Sequence, residues 1–179
     1  MSLQGIAFYC ARAAAFAALV AGLWYLWQRR FGRPLPRRKL GLRLVFVFYL
    51  AALVEITAIR SGAGLLFWRQ PHSWATVQLI PLYTTRLEWR AGLWPFCYHV
   101  LGNLGWFVPL GLLGPMVSRR LRSPVWTVAA GALLSAGIEA CQWLFASGAT
   151  DVDDFLLNTA GALLGWCAWR VWQMLRAER

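Results

Sequence analysis

The residues of this chain that could do chemistry are carboxylates and amides set inside apolar sequence. Glu139 and Gln142 lie three apart, and Asp151, Asp153, Asp154 and Asn158 fall in the run Asp151-Val152-Asp153-Asp154-Phe155-Leu156-Leu157-Asn158. Spacings of three and four put side chains on one helical face. That rule pairs Glu139 with Gln142, aligns Asp151, Asp154 and Asn158, and pairs His99 with Asn103. Acids in a low-dielectric pocket can act as an acid–base pair. A set of Asp, Glu and His can also hold a divalent cation. The spacing here matches no recognised metal motif, and no H-E-x-x-H, G-x-S-x-G or Walker A pattern occurs. Neither a metal nor another cofactor is expected. No nucleophile is activated in sequence, because Cys97 and His99 face different sides of a helix and Ser135 stands one turn before Glu139. Two readings remain open: a polar pocket lined by His99, Asn103, Glu139, Gln142, Asp151, Asp153, Asp154 and Asn158, or a structural network of the same groups.

The elements that carry these residues are membrane helices. Hydrophobic residues make up 59% of the 179-residue chain, and neither Ala91–Ser118 nor Phe155–Trp169 contains Asp, Glu, Lys or Arg. A spanning helix needs about 20 mainly apolar residues. The sequence therefore predicts an all-α, polytopic membrane protein of one domain, residues 1–179, with five transmembrane helices. They fall near Ile6–Trp27, Leu40–Ile59, Phe96–Met116, Pro124–Phe145 and Asp154–Trp172. Between the second and third lies a long outer-face segment, about 60–95, broken by Gly62, Gly64, Pro71 and Pro81. Its Trp68, Trp74, Trp89 and Trp94 suit the membrane interface. Arg12 interrupts the first apolar stretch and Glu55 the second. The first stretch lacks a basic leader and runs into a basic stop, so a retained helix is expected.

Charge sets the direction. The net charge of +11 is concentrated in Arg29–Lys39 and Arg119–Arg122, both between apolar segments. Such blocks fix the cytoplasmic side and attract anionic headgroups there, which argues against nucleic acid as the partner. With five spans the N-terminus is outside, the C-terminus is cytoplasmic and the acidic turn at Asp151–Asp154 faces outward. The four cysteines, scattered singly, read as small buried hydrophobes.

Depth along these helices converges. At about 1.5 Å per residue, Asn103 lies roughly 10 Å from the outer edge and Asn158 roughly 6 Å. Glu139, roughly 22 Å from the inner start of its helix, falls under about 10 Å from the outer edge of a core about 30 Å thick. A buried acid needs partners or a function. Glu139 is expected to be held by Gln142 and by Asn103 or Asn158. Asp151, or Thr150 before it, is placed to cap the last helix, with Asp154 in its first turn. Pro109 should bend the third helix, and Gly161 and Gly165 form a G-x-x-x-G segment that allows close helix approach.

The order of the motifs resembles a known family. Leu79-Ile80-Pro81-Leu82, Asn103 to Gly111 with Pro109, Ile138-Glu139-Ala140-Cys141-Gln142, and Asp151-Val152-Asp153-Asp154 with Asn158, Gly161 and Gly165 together resemble the VanZ-like proteins of bacterial membranes. That family is named for an accessory teicoplanin-resistance protein. The family-like core covers about residues 79–169. The chain departs from the pattern before Asp151, where Gly148-Ala149-Thr150 stands in place of a frequent Arg. Arg60, Arg86 and Arg90 are the candidates to replace it.

The resemblance implies a role in the cell envelope of the bacterial inner membrane, related to glycopeptide resistance. Together with the pocket it leads to the expected function: engagement of membrane lipid or a lipid-linked cell-wall intermediate. One alternative is a membrane enzyme acting on a lipid-linked phosphate, with Glu139 and Asp154 as its acid–base or metal-holding groups. Another is a structural membrane protein without a small ligand.

Overall fold

A computed structural model describes residues 3–57, 77–144 and 148–178, without the side chains of 3–7 and 9. The expected features at Arg60, Gly62, Gly64, Trp68, Pro71 and Trp74, and the ends of the second and fourth expected spans, lie outside the described residues. Two long helices come first, α1 (Leu3–Phe31) and α2 (Arg37–Thr57). A two-residue strand β1 (Val77–Gln78) leads to the short helix α3 (Tyr83–Ala91) and then to α4 (Leu93–Val117). A 3-10 turn at Arg120–Arg122 passes the chain to α5 (Pro124–Leu144). Strand β2 (Thr150–Asp151) then opens α6 (Val152–Ala177).

The number of membrane-crossing helices corrects the expectation. Among the described residues four helical segments, not five, are long and apolar enough to cross a membrane: Cys10–Phe31, Arg37–Thr57, Leu93–Val117 and Pro124–Leu144. The fifth expected span, Asp154–Trp172, does fall within a helix, α6, but that helix does not qualify. The physical reason lies in its sequence. Asp153 and Asp154 open it, Arg170 and Arg176 close it, and the charge-free run Phe155–Trp169 measures only about 22 Å at 1.5 Å per residue. A hydrocarbon core is about 30 Å thick. Absence of charge is a weaker criterion than hydropathy, and Asn158, Thr159, Trp166 and Trp169 separate the two.

What α6 lacks in hydropathy it makes up in packing. It runs parallel to α4, and the two backbones nearly touch. A Cβ added at Gly161 would collide with the carbonyl of Leu104, one at Gly165 with that of Val108, and one at Gly111 with that of Ala162. Only glycine admits this approach. Pro109 lies inside α4, as expected, together with Pro115. Around this seam Leu53, Phe107, Leu110, Ile138 and Ala162 form the buried core. The opposite surfaces expose large apolar side chains such as Leu19, Leu23, Leu133 and Leu164, as lipid-facing helices do.

Helix α1 joins the bundle through α2 on a stripe of small residues. Ala13, Ala17 and Ala21, four apart, are buried. Arg12 donates to Glu55 at 2.6 Å, and Glu55 is buried. The two charges that interrupt the first two apolar stretches thus meet one another. The cysteines do not behave as small core residues: Cys10 and Cys167 are exposed, while Cys97 and Cys141 are half-buried.

Between α2 and α4 the chain makes a small addition that alternating-hydrophobicity patterns cannot reveal. β1 pairs in parallel with β2, Val77 opposite Thr150 and Gln78 opposite Asp151. Two residues of ladder suffice to bring segment 77–82 against the acidic turn.

Candidate functional site

The acidic end of the bundle is built around helix starts. Asp151 is the N-cap of α6, its side chain accepting the Asp153 N–H at 2.8 Å. This is the capping role expected of it, and Asp153 and Asp154 fill the first turn, where negative charge complements the helix dipole. Asp153 reaches back to α3. It accepts the Leu82 N–H, and its other oxygen accepts the Thr85 N–H and the Thr85 hydroxyl, each at 2.9 Å. One buried carboxylate in the first turn of α6 therefore serves the beginning of α3. It also holds Leu82 in the left-handed region, φ 63°, a conformation that costs a non-glycine residue about 1 kcal/mol.

Glu139 does not take the partners expected of it. It is buried on α5 and accepts the Asp151 N–H at 2.8 Å, while Thr150 donates its hydroxyl to the Glu139 carbonyl at 3.2 Å. Gln142 turns instead to the end of α2 and donates to the Thr57 carbonyl at 3.0 Å, its own side-chain oxygen remaining buried with no partner among the described residues. Asn158, also buried, donates to the Ser135 hydroxyl at 3.0 Å. Glu139, Gln142 and Asn158 each brace a different joint, and depth and phase alone could not separate them.

Three of the expected residues do converge. Asn103 donates to Asp154 Oδ1 at 2.6 Å, and His99 Nδ1 lies 3.5 Å from the same oxygen. His99 Nε2 is 3.5 Å from the Thr85 hydroxyl, so a continuous polar path runs Asp154–His99–Thr85–Asp153 across α6, α4 and α3. Asp154 stays 25% exposed along its side chain and His99 12%. Asp154, in the first turn of α6 and outside the four spans, has its carboxyl pushed up to about 6. Burial is the main cause; His99 and Asn103 oppose it, and Asp151 and Asp153 reinforce it. Among the described residues no group of three or more His, Cys, Asp or Glu side chains is arranged to hold a metal ion. Thr85 and Ser135 belong to these networks and were not singled out as members from the sequence, because isolated hydroxyl residues carry no spacing signature.

The segment above this cluster is amphipathic in an unusual sense. Arg86 and Arg90 are exposed on α3, and so are Leu79, Ile80, Leu82, Leu87, Trp89 and Trp94 around them. Gly92, at φ 133°, lets α3 end and α4 begin without an intervening loop.

A family model described as VanZ/LLP1 matches residues 44–173, most of the chain. The chain belongs to the VanZ/LLP1 family. The match is wider than the core read from the motifs: it begins within α2 and leaves α1 outside it. Membership and the four apolar helices together make this a multi-pass bacterial membrane protein of the cell envelope. Comparison with curated proteins and with solved structures gave no match.

Proposed function

We propose that this VanZ-family protein engages a lipid or lipid-linked envelope component at its acidic end, through Asp154, His99 and Asn103. The observation that carries this reading is the difference among the four acids. Glu139, Asp151 and Asp153 are buried and accept backbone N–H groups. Asp154 alone of the four is partly exposed and held by side chains only, Asn103 and His99. In this reading Glu139, Gln142, Asp151, Asp153 and Asn158 are the frame. A carboxylate beside an imidazole and an amide suits a headgroup that offers hydroxyl or amine hydrogens, as a sugar or peptide does. The exposed leucines and tryptophans of 79–94 suit the membrane interface, so the ligand would arrive from lipid.

The orientation belongs to the same proposal. The turn between α1 and α2, the 3-10 turn and the Arg170–Arg176 end of α6 lie at the end of the bundle opposite the acidic cluster. Positive residues favour the cytoplasmic side and attract anionic headgroups there. The acidic end then faces outward.

A second reading, a membrane enzyme acting on a lipid-linked phosphate, draws on the Asp154–His99 contact. A carboxyl pushed up to about 6 by burial, beside an imidazole, is suited to proton transfer.

Envelope lipid profiles test the proposal. A deletion strain is compared with strains producing Asp154→Asn or His99→Gln at matched levels. Both substitutions are expected to reproduce the deletion profile. If the deletion changes the profile while both variants keep that of the wild type, the acidic end is not where the protein acts. Binding retained by Asp154→Asn with turnover lost would favour the enzyme.

A further inference from the structure

At the far end of the bundle the same packing leaves a cavity of a different kind. It has a volume of about 540 Å³ and is lined by Arg122, Trp166, Trp169, Arg170 and Gln173. The cavity lies between the turn that follows α4 and the last three turns of α6. Arg122 is fastened into the wall: its Nε donates to the Pro115 carbonyl at 3.4 Å, and its own carbonyl accepts the Trp166 indole N–H at 3.0 Å. No carboxylate pairs with Arg122 or Arg170 among the described residues, and six of the chain's seven acids precede Phe155, leaving Glu178 alone in the C-terminal region. Trp169 lines the cavity with its ring. It is 4% exposed, and its indole N–H is buried with no hydrogen-bond partner among the described residues.

A buried donor without an acceptor costs about 1–3 kcal/mol and is rare in a settled structure. That burial keeps the Trp169 N–H off the cavity surface, where the groups on offer are the guanidinium groups of Arg122 and Arg170 and the amide of Gln173. Arginine forks match the oxygens of a phosphate, and an amide N–H can donate to one more. We propose that this cavity binds a phosphate group, that of an anionic phospholipid at the membrane surface, with Arg122 and Arg170 neutralising its charge and Gln173 taking a further oxygen. The proposal sharpens the general attraction of the basic end for anionic headgroups into one built site. It is independent of what the acidic end binds and of which end faces the cytoplasm.

The full-length protein, purified and placed in nanodiscs, tests it. Nanodiscs of phosphatidylcholine alone are compared with nanodiscs containing phosphatidylglycerol, and inorganic phosphate is added to the former as the free-ion arm. Phosphatidylglycerol is expected to raise the melting midpoint of the wild type and to survive as a bound lipid in native mass spectrometry. Arg122→Gln with Arg170→Gln should weaken that retention by roughly tenfold or more, at about 1 kcal/mol per arginine near the surface. Arg119→Gln with Arg120→Gln, exposed on the same turn but outside the cavity, should change it little.

Equal loss in the two arginine pairs would mean general charge attraction and no site, leaving the orientation argument untouched. Retention unchanged in Arg122→Gln with Arg170→Gln would end the proposal outright. A response to inorganic phosphate as strong as that to phosphatidylglycerol would place the phosphate chemistry correctly and overturn the lipid as its source. The wild-type comparison of the two nanodiscs needs no variant, so a substitution that failed to fold would not shelter the idea.

Discussion

The two ends of the bundle both collect charge and treat it in opposite ways. At the acidic end Glu139, Asp151 and Asp153 turn inward onto backbone N–H groups of residues 151, 153, 82 and 85. At the basic end, among the described residues, Arg122 and Arg170 line an open cavity with no acid beside them, and a buried indole nearby has no partner. Carboxylates accept, and helix starts offer unsatisfied donors in abundance, so acids can be consumed by the fold itself. Guanidinium groups donate, and although helix ends leave carbonyls free, each guanidinium carries five N–H donors; Arg122 spends its Nε–H on the Pro115 carbonyl and keeps its terminal N–H groups for something from outside. Charge inside a joint is architecture; charge left over is an invitation to a ligand. Asp154, poised between the two conditions, is the member of the acidic end that resembles the basic one.

The largest expected effect abolishes the comparison by removing the helix that both ends share. Gly161→Leu must drive a side chain into the Leu104 backbone; overpacking of this kind costs about 1–3 kcal/mol and more where backbone is the obstacle. Poor recovery of monodisperse protein in detergent is expected, and Gly161→Ala should melt lower than wild type. A normal midpoint for Gly161→Ala would mean that α6 can sit farther from α4 without loss.

Next in size is Asp153→Ala, which strips acceptors from Leu82 and Thr85. Orphaned donors and a lost charge-assisted bond suggest a loss of about 2–4 kcal/mol, together with faster proteolysis within 83–92. Slow cleavage there and an unchanged midpoint would show that α3 holds its place without the carboxylate.

Glu139→Leu leaves the Asp151 N–H without its acceptor, at about 1–3 kcal/mol, whereas Glu139→Gln keeps an acceptor and should cost less. Asn103→Leu should cost less than Glu139→Leu, because the Asp154 it deserts is partly exposed and retains His99. The reverse order in melting midpoints would return Asn103 and Glu139 to a single network.

Smallest of all are Arg122→Gln and Arg170→Gln measured without anionic lipid, expected within about 0.5 kcal/mol of wild type. A clear destabilisation would make these arginines structural and erase the contrast between the ends.

Much of this was visible in the residues. The first four spans follow from apolar length, and the glycine seam from Gly161 and Gly165. Asp151 as a cap follows from its position before an apolar run. Counting α6 as a span failed because freedom from charge was allowed to stand for hydropathy. The site was legible as a set and illegible as a wiring diagram. Its acids bond to N–H groups of residues 82, 85, 151 and 153, and Gln142 to the carbonyl of residue 57, none of which a side-chain pattern can express. Thr85 was invisible as a partner of Asp153, 68 residues away, because the β1–β2 pairing and the packing of α4 on α6 bring the two segments together only in the folded chain.

The Arg12–Glu55 pair has a consequence for biogenesis. Each charge sits near one end of a helix otherwise greasy enough to partition into lipid alone, Arg12 in Cys10–Phe31 and Glu55 in Arg37–Thr57. Unpaired, each would oppose partitioning, by less than the roughly 2.5–3.5 kcal/mol of a helix centre. Bonded to one another at 2.6 Å, they make entry into the bilayer a joint event. Nascent α1 should therefore wait at the membrane portal until α2 has been synthesised, and the pair should leave it as a hairpin. Glu55→Leu would uncouple them, and crosslinking of stalled chains to the translocation machinery should then show Arg12 lingering there after α2 has gone. Early release of α1 in the wild type, before residue 55 is made, would show that the ion pair forms only after both helices have settled.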